Sequence, residues 1–217
     1  NSLKVDVTTA DTSIGASQFS MVQHKIEAQN LQGLAFGTSD AKNFTLSFYV
    51  KSNKTGTYAV NISQADNSSK QATLTYTINS ANTWERKSLT FTGDTSGVIN
   101  NDNGSGFAIL WWLAAGSTFT SGSTSATFQT YANANHAAGQ AVNLLDSTSN
   151  EWFITGVQLE VGQNPTTFEH ESIPKTLEKC KRYYSQQFPP CGAGVTNASN
   201  QLARVNIPLE VEMRTAP

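Results

Sequence analysis

The chain has 217 residues, 38% of them apolar and only 14% charged, with a net charge of −2 and an isoelectric point near 5.9. That length holds one large β domain or one domain with a small appendage, and the apolar share is enough for a packed core, which excludes wholesale disorder. The acidic balance excludes a basic nucleic-acid footprint, and no apolar run approaches the roughly 20 residues of a membrane span, so neither a nucleic-acid partner nor membrane insertion is expected.

Ser, Thr and Asn together contribute 68 residues. Such side chains suit the outer faces and turns of strands, and they supply few of the ion pairs that stabilise isolated helices. The chain-order pattern agrees. "LKVDV" (3–7) alternates, with Leu3, Val5 and Val7 on one face. "FTLSFYVK" (44–51) is the cleanest case, with Phe44, Leu46, Phe48 and Val50 facing one way and Thr45, Ser47, Tyr49 and Lys51 the other. That period of two marks a half-buried strand. After the turn "SNKTG", Tyr58, Val60 and Ile62 form the next apolar face, and "ATLTYTI" (72–78) repeats it with Leu74, Tyr76 and Ile78. "TWERKSLTFT" (83–92) places Leu89 and Phe91 inside.

The turn cluster "NNDNGSG" (100–106) leads into "FAILWWLAA", the most hydrophobic strand of the chain. Residues 116–150 show little periodicity beyond Phe128 and read as a large surface loop with one short strand at most. "EWFITGVQLEV" (151–161) is a closing strand whose inward set changes from Trp152 and Ile154 to Val157, Leu159 and Val161. A β-bulge at Gly156 accounts for the change of parity. Some eight short strands with almost no helical period predict an all-β fold, a β-sandwich over residues 1–165. A linker and one helix follow over 166–187, with Ser172 and Pro174 at the helix start and Leu177, Cys180 and Tyr184 on one stripe. The helix's Lys175, Lys179, Lys181 and Arg182 read as a solvated face. Residues 188–217 return to strand pattern and read as the start of a C-terminal β domain, so that the 217 residues are expected to be part of something longer. Cys180 and Cys191 are read as ordinary thiols, with a bridge across their short loop as the alternative.

Catalytic signatures are sparse. No G-x-S-x-G elbow and no glycine-rich phosphate loop is present. "NDNGSG" lacks the acidic residue that would complete a calcium loop and reads as a turn, although a structural calcium elsewhere in the sandwich stays open. Apart from that ion, no cofactor and no metal site are expected. "FEHES" (168–172) reads as a polar linker, because neighbours in extended chain point apart and do not converge on a metal. Asp94, Asp102, Asp146 and Glu151 are loop carboxylates that a depolymerase could use, but their spacing selects none of them.

The aromatic residues say more. Trp111 and Trp112 are adjacent in one strand and so face opposite sides of the sheet. Phe107, Ile109, Trp111 and Leu113 make the natural core face, which leaves Trp112 outside with Ala108 and Leu110. Three readings remain open for Trp112: packing beneath the loop 116–150, a subunit interface, or a stacking platform for a sugar ring. Tyr49 and Trp84 are further glycan-binding or interface candidates.

The segments "SFYVKSNKTGTY", "ADNSSKQATLTYTINSANTWERKSLTFTGDTSGVINNDNGSGFAILWWLAAGS", "FITGVQLEVGQNPTTFEHES" and "CKRYY" in this order resemble a module of tailed-bacteriophage virion proteins, mainly tail-fibre and other appendage proteins. The resemblance covers residues 1 to about 185. It implies a carbohydrate-binding, galactose-binding-like jelly roll closed by "ITGVQLEVG", with the "FEH…CKRYY" segment leading to a further β domain. It carries over no catalytic residue and so implies a non-enzymatic protein of the virion, made in the host cytoplasm. The partners it implies are further copies of the chain, with a homotrimer favoured, other virion proteins, and a host surface glycan. A capsid-decorating protein and the carbohydrate-binding module of a glycan-degrading enzyme are the alternatives.

Overall fold

The computed structural model describes residues 1–64, 66, 69–184, 211, 213 and 214. The chain divides into two compact units, Asn1–Phe168 and Glu169–Pro217. The first is an all-β jelly-roll sandwich. Its four-stranded sheet has the order β1 (Leu3–Asp6), β9 (Glu151–Val161), β3 (Phe44–Ser52), β6 (Glu85–Phe91). Its five-stranded sheet runs β2 (Phe19–Glu27), β7 (Ser105–Ala115), β4 (Gly56–Gln64), β5 (Lys70–Ile78), β8 (Ser125–Thr130). Every pairing is antiparallel.

Two strands differ from the sequence expectation. β2 carries polar Gln23 and Lys25 on one face and His24 in the other row, which blunts its alternation; both of its faces become legible only against β7. The expected long loop of residues 116–150 is largely built structure. It holds a helical turn α1 (Ser117–Thr120), strand β8, and two 3-10 turns at Asn133–Asn135 and Leu144–Asp146.

The core lies between the sheets and is aromatic throughout. At one end Phe44 stacks on Phe91 at 5.3 Å and Phe107 on Phe128 at 5.7 Å, with Phe36 edge-on between them. At the other end Phe48 meets Tyr76 and Trp111 edge-on at 5.1 and 6.0 Å. Such pairs add roughly 0.5–1.5 kcal/mol beyond area burial. The polar ends of two core rings find partners, whereas Trp111 Nε1 has none among the described residues. Trp152 Nε1 donates to the Tyr76 hydroxyl at 3.1 Å, which ties the two sheets together, and the Tyr58 hydroxyl donates to the Lys54 carbonyl at 2.8 Å.

The bulge at Gly156 is present. Ser47 pairs with Gln158 and Tyr49 with Thr155, so two residues of β9 face one of β3. Gly156 takes φ +57°, and a Cβ there would meet the Tyr49 ring at 3.0 Å. The bulge turns Leu159 onto the core, but Val157 and Val161 stay 39% and 54% exposed. Val157 lies beyond the end of β1, which covers β9 only as far as Ile154, and Val161 is the last residue of its strand.

Past β9 the chain doubles back across the outer face of this sheet. Thr166 N–H and hydroxyl donate to the Glu160 carboxylate, Gln158 Nε2 donates to Thr166 Oγ1 and Arg86 donates to the Thr166 carbonyl. The polar, proline-bearing segment is therefore a strap over outward polar side chains, and its composition follows from what it covers.

In the second unit α2 (Ile173–Lys181) begins after Ser172, with Pro174 in its first turn. Glu171 pairs with Lys179 at 2.5 Å and with Lys175 at 3.4 Å, and the Lys179 hydrogen bond leads in holding the Glu171 carboxyl below the usual range. Leu177, Cys180 and Tyr184 are all exposed. The expected β element over 188–217 lies almost wholly outside the described residues, as does Cys191.

Burial pushes the Tyr58 phenol up to about 12 and moves buried Tyr76 in the same direction. Above the ordinary phenol value of about 10 the folded chain keeps protons that the unfolded chain has released. Stability is therefore full below about pH 10 and falls as the pH rises towards about 12, with Tyr58 accounting for about 2–3 kcal/mol. Urea unfolding from pH 9 to pH 11.5 should show this decline, and Tyr58→Phe should flatten it; a level midpoint across that range would contradict the account.

Candidate functional site

Strand β7 is buried on both faces, and its outer face founds the site. Ala108, Leu110 and Trp112 point away from the core, in register with Lys25, Gln23 and Met21 of β2. On the other side lie the outward residues of β4, among them Ala59, Asn61 and Ser63. Together these strands form the floor of a cleft of about 430 Å³. That size lies within the roughly 300–1,000 Å³ of small-ligand sites.

The walls are aromatic. Phe19 stands at one end, 49% exposed, with its ring 5.6 Å from Trp112 and 5.2 Å from Phe119 of α1. Trp112 lies 5.5 Å from Phe119 and 5.8 Å from the His136 ring. His136 in turn meets Tyr131 edge-on at 4.6 Å, and Tyr131 is 46% exposed. A continuous run of rings thus crosses the cleft, open at both ends and floored by Trp112.

Outward polar side chains of the five-stranded sheet hold the second wall in place. Thr73 Oγ1 donates to the Asn135 carbonyl and Gln71 Nε2 to the Ala132 carbonyl, each at 2.7 Å. Asn61 Nδ2 donates to Thr73 Oγ1 at 2.8 Å and to Gln71 Oε1 at 3.3 Å. α1 is joined to the same wall, since Ala137 N donates to the Phe119 carbonyl and Gly122 N to the Ala134 carbonyl. Gly122 permits that approach, because a Cβ there would fall 2.0 Å from Asn135 Oδ1.

Two buried polar atoms on the cleft residues, Trp112 Nε1 and His136 Nε2, have no hydrogen-bond partner among the described residues. Buried polar groups are usually satisfied by protein, water or ligand, so both atoms are available to water or to polar atoms of a guest, and Trp111 Nε1 in the core is unpartnered in the same way. Burial lowers the His136 pKa, which keeps its ring neutral near pH 7. Lys25 is the one charged side chain in the lining, beside Gln23, Ser63 and Ser105.

Trp112 is on the outer face, as the strand parity predicts, but it is only 1% exposed and lies beneath Phe119, His136 and Ala137. The covered geometry is that of the loop-packing reading, and Trp112 presents no open platform. Tyr49 and Trp84 lie on the outer face of the other sheet. The Tyr49 ring stacks with Arg86 at 6.0 Å and backs onto Gly156. Trp84, 41% exposed, meets Phe153 at 6.3 Å and Lys51 at 5.5 Å. The three sequence candidates therefore do not converge on one site. Phe19, Phe119, Tyr131 and His136 were not singled out in the sequence, because they come from aperiodic segments and a weakly patterned edge strand.

The loop carboxylates are engaged elsewhere. Asp94 pairs with Lys70 at 2.7 Å, Asp146 with Lys54 and Glu151 with Lys4, while Asp102 Oδ1 accepts from Gly104 N at 2.7 Å to close the "NDNGSG" turn. Among the described residues no three His, Cys, Asp or Glu side chains are grouped to hold a metal, and no helix is long and apolar enough to cross a membrane.

Gly122→Ala should displace the 131–137 wall, destabilise the sandwich by about 1–3 kcal/mol and speed amide exchange at Gly122 and Ala137. Unchanged exchange at both amides would show that the wall does not depend on this contact.

Comparison with known proteins adds little to this geometry. No family model matches the chain, and no curated protein matches it. Among solved structures, one described as "CBM4 structure and function" aligns with 70% of this chain and 67% of its own, at 14% identity and a TM-score of 0.37.

Proposed function

We propose that the chain is a non-enzymatic glycan-binding module, and that it serves a bacteriophage virion as part of a tail fibre or other appendage. The observation that carries the glycan reading is the cleft on the five-stranded sheet, where a run of aromatic rings open at both ends carries two buried polar atoms without partners. Sugars offer apolar C–H faces for ring stacking and hydroxyls for such atoms, so the lining matches their chemistry. Preformed clefts with mostly apolar walls and a few placed polar groups are the usual form of a binding site.

A binding role is favoured over hydrolysis by the lining itself. Glycoside hydrolysis ordinarily needs two carboxyl groups about 5–9.5 Å apart across the sugar, and none of the lining residues is Asp or Glu. The virion assignment rests on the ordered motifs that resemble phage appendage proteins, and a trimer with other virion proteins as neighbours is part of that proposal. Burial of Trp112 favours attachment through the cleft over assembly through this residue, because the side chain is already covered within one chain.

Tyr131→Ala and Phe119→Ala should each lower affinity for a retained oligosaccharide roughly tenfold, since a stacked ring contributes on the order of 1–2 kcal/mol, with the urea midpoint of Tyr131→Ala close to that of the parent. Binding unaffected by either change, measured on a glycan array and by calorimetry, would overturn the reading. Light scattering separates the versions of the role: a trimer supports an appendage protein, and a monomer supports a capsid-decorating or enzyme-borne module.

A further inference from the structure

Lys25 is the one lysine that lines the cleft. Lys4, Lys54, Lys70 and Lys87 each pair with a carboxylate, and Lys51 lies over the Phe153 ring at 4.3 Å. Lys25 is exposed on β2, lines the cleft, and has neither an ion-pair nor a ring partner among the described residues. No Asp or Glu lines the cleft to compete for its charge. The Lys25 ammonium shares its end of the lining with Gln23, Ser63 and Ser105, and its attraction for an anion is one that salt screens.

Register gives its distance from the aromatic floor. Met21 pairs with Trp112 and Lys25 with Ala108 on the same outward row, four residues further along β2. That is roughly 13 Å of strand, so a group bound by Lys25 belongs to a different sugar ring from one held at the Trp112 end of the cleft. Gln23 and Leu110, paired between them, offer a polar and an apolar contact along the way.

Building on the glycan reading, we infer that the cleft selects an acidic oligosaccharide. One sugar stacks on the exposed rings of the lining, Phe19 or Tyr131, and an anionic substituent on another sugar meets the Lys25 ammonium. The anion is a carboxylate, sulfate or phosphate, since an ammonium recognises any of these as a point charge. The acidic balance of the chain as a whole gives no general attraction for such a ligand, so the preference depends on this one side chain.

The test is an array of oligosaccharides in matched sets: a uronic-acid form, its carboxyl-reduced neutral form, and sulfated and phosphorylated forms. The full chain is expected to bind at least one acidic form about tenfold more tightly than the neutral one. That preference should shrink as salt rises from 50 to 500 mM, roughly a threefold shortening of the screening length. Lys25→Met should bring the ratio of acidic to neutral affinity close to one, and Lys25→Arg should restore it. Which acidic member is retained identifies the anion. Equal binding of neutral and acidic forms, or a preference that survives Lys25→Met, would overturn the inference and leave the glycan reading standing. Failure to bind any member of the array would overturn both.

Discussion

The sandwich is organised around a strand that has no face to give to water. β7 carries Phe107, Ile109, Trp111 and Leu113 into the core and Ala108, Leu110, Trp112 and Ala114 outward, and all eight are buried. An apolar outer face of this size needs covering, since each large side chain left in water forgoes about 1.5–3 kcal/mol of burial. β2 and β4 flank the strand, while α1 and the segment 131–137 fold over it. The second hydrophobic cluster, Ala59, Ala108, Leu110, Trp112 and Ala137, results from that cover.

The cover is incomplete, and the cleft is the gap. Hydrogen bonds from Asn61, Gln71 and Thr73 set where the far wall stands. These side chains point outward from β4 and β5, where alternation alone would leave them in solvent. Buried polar groups need partners, and here they find them in the carbonyls of the wall. The same rule makes the unpartnered nitrogens of Trp112 and His136 conspicuous.

The opposite sheet handles its outer face differently. Thr45, Ser47, Thr90, Gln158 and Glu160 are polar, and the strap after β9 bonds to several of them instead of burying apolar surface. Thr45 and Ser47 are buried all the same. The two sheets therefore meet the chain's remaining segments by different physics, hydrophobic cover on one side and hydrogen-bonded cover on the other. The first leaves the cleft with its aromatic walls.

Much of this was legible in the residues alone. The period of two in β3, β4, β5 and β6 identified those strands and their inward sets, because a pleated sheet with one buried face imposes that alternation, while β7 stood out as a continuous apolar run. The parity change at Thr155–Gly156 disclosed the bulge, since only an inserted residue can switch faces within one strand. What the sequence could not convey was which segments meet. Residues 116–137 show no period because they contact the sheet through single side chains and backbone carbonyls, a pattern that leaves no repeat. β2 was obscured for a related reason: one row mixes Phe19 and Met21 with Gln23 and Lys25 and the other holds His24, so neither face reads as uniformly apolar. The sequence by itself determined an all-β sandwich with a two-faced central strand. Tertiary structure decided that Phe19, Trp112, Phe119, Tyr131 and His136, spread over more than a hundred residues, converge at one cleft, because that convergence depends on long-range pairing and close packing, which local pattern does not record.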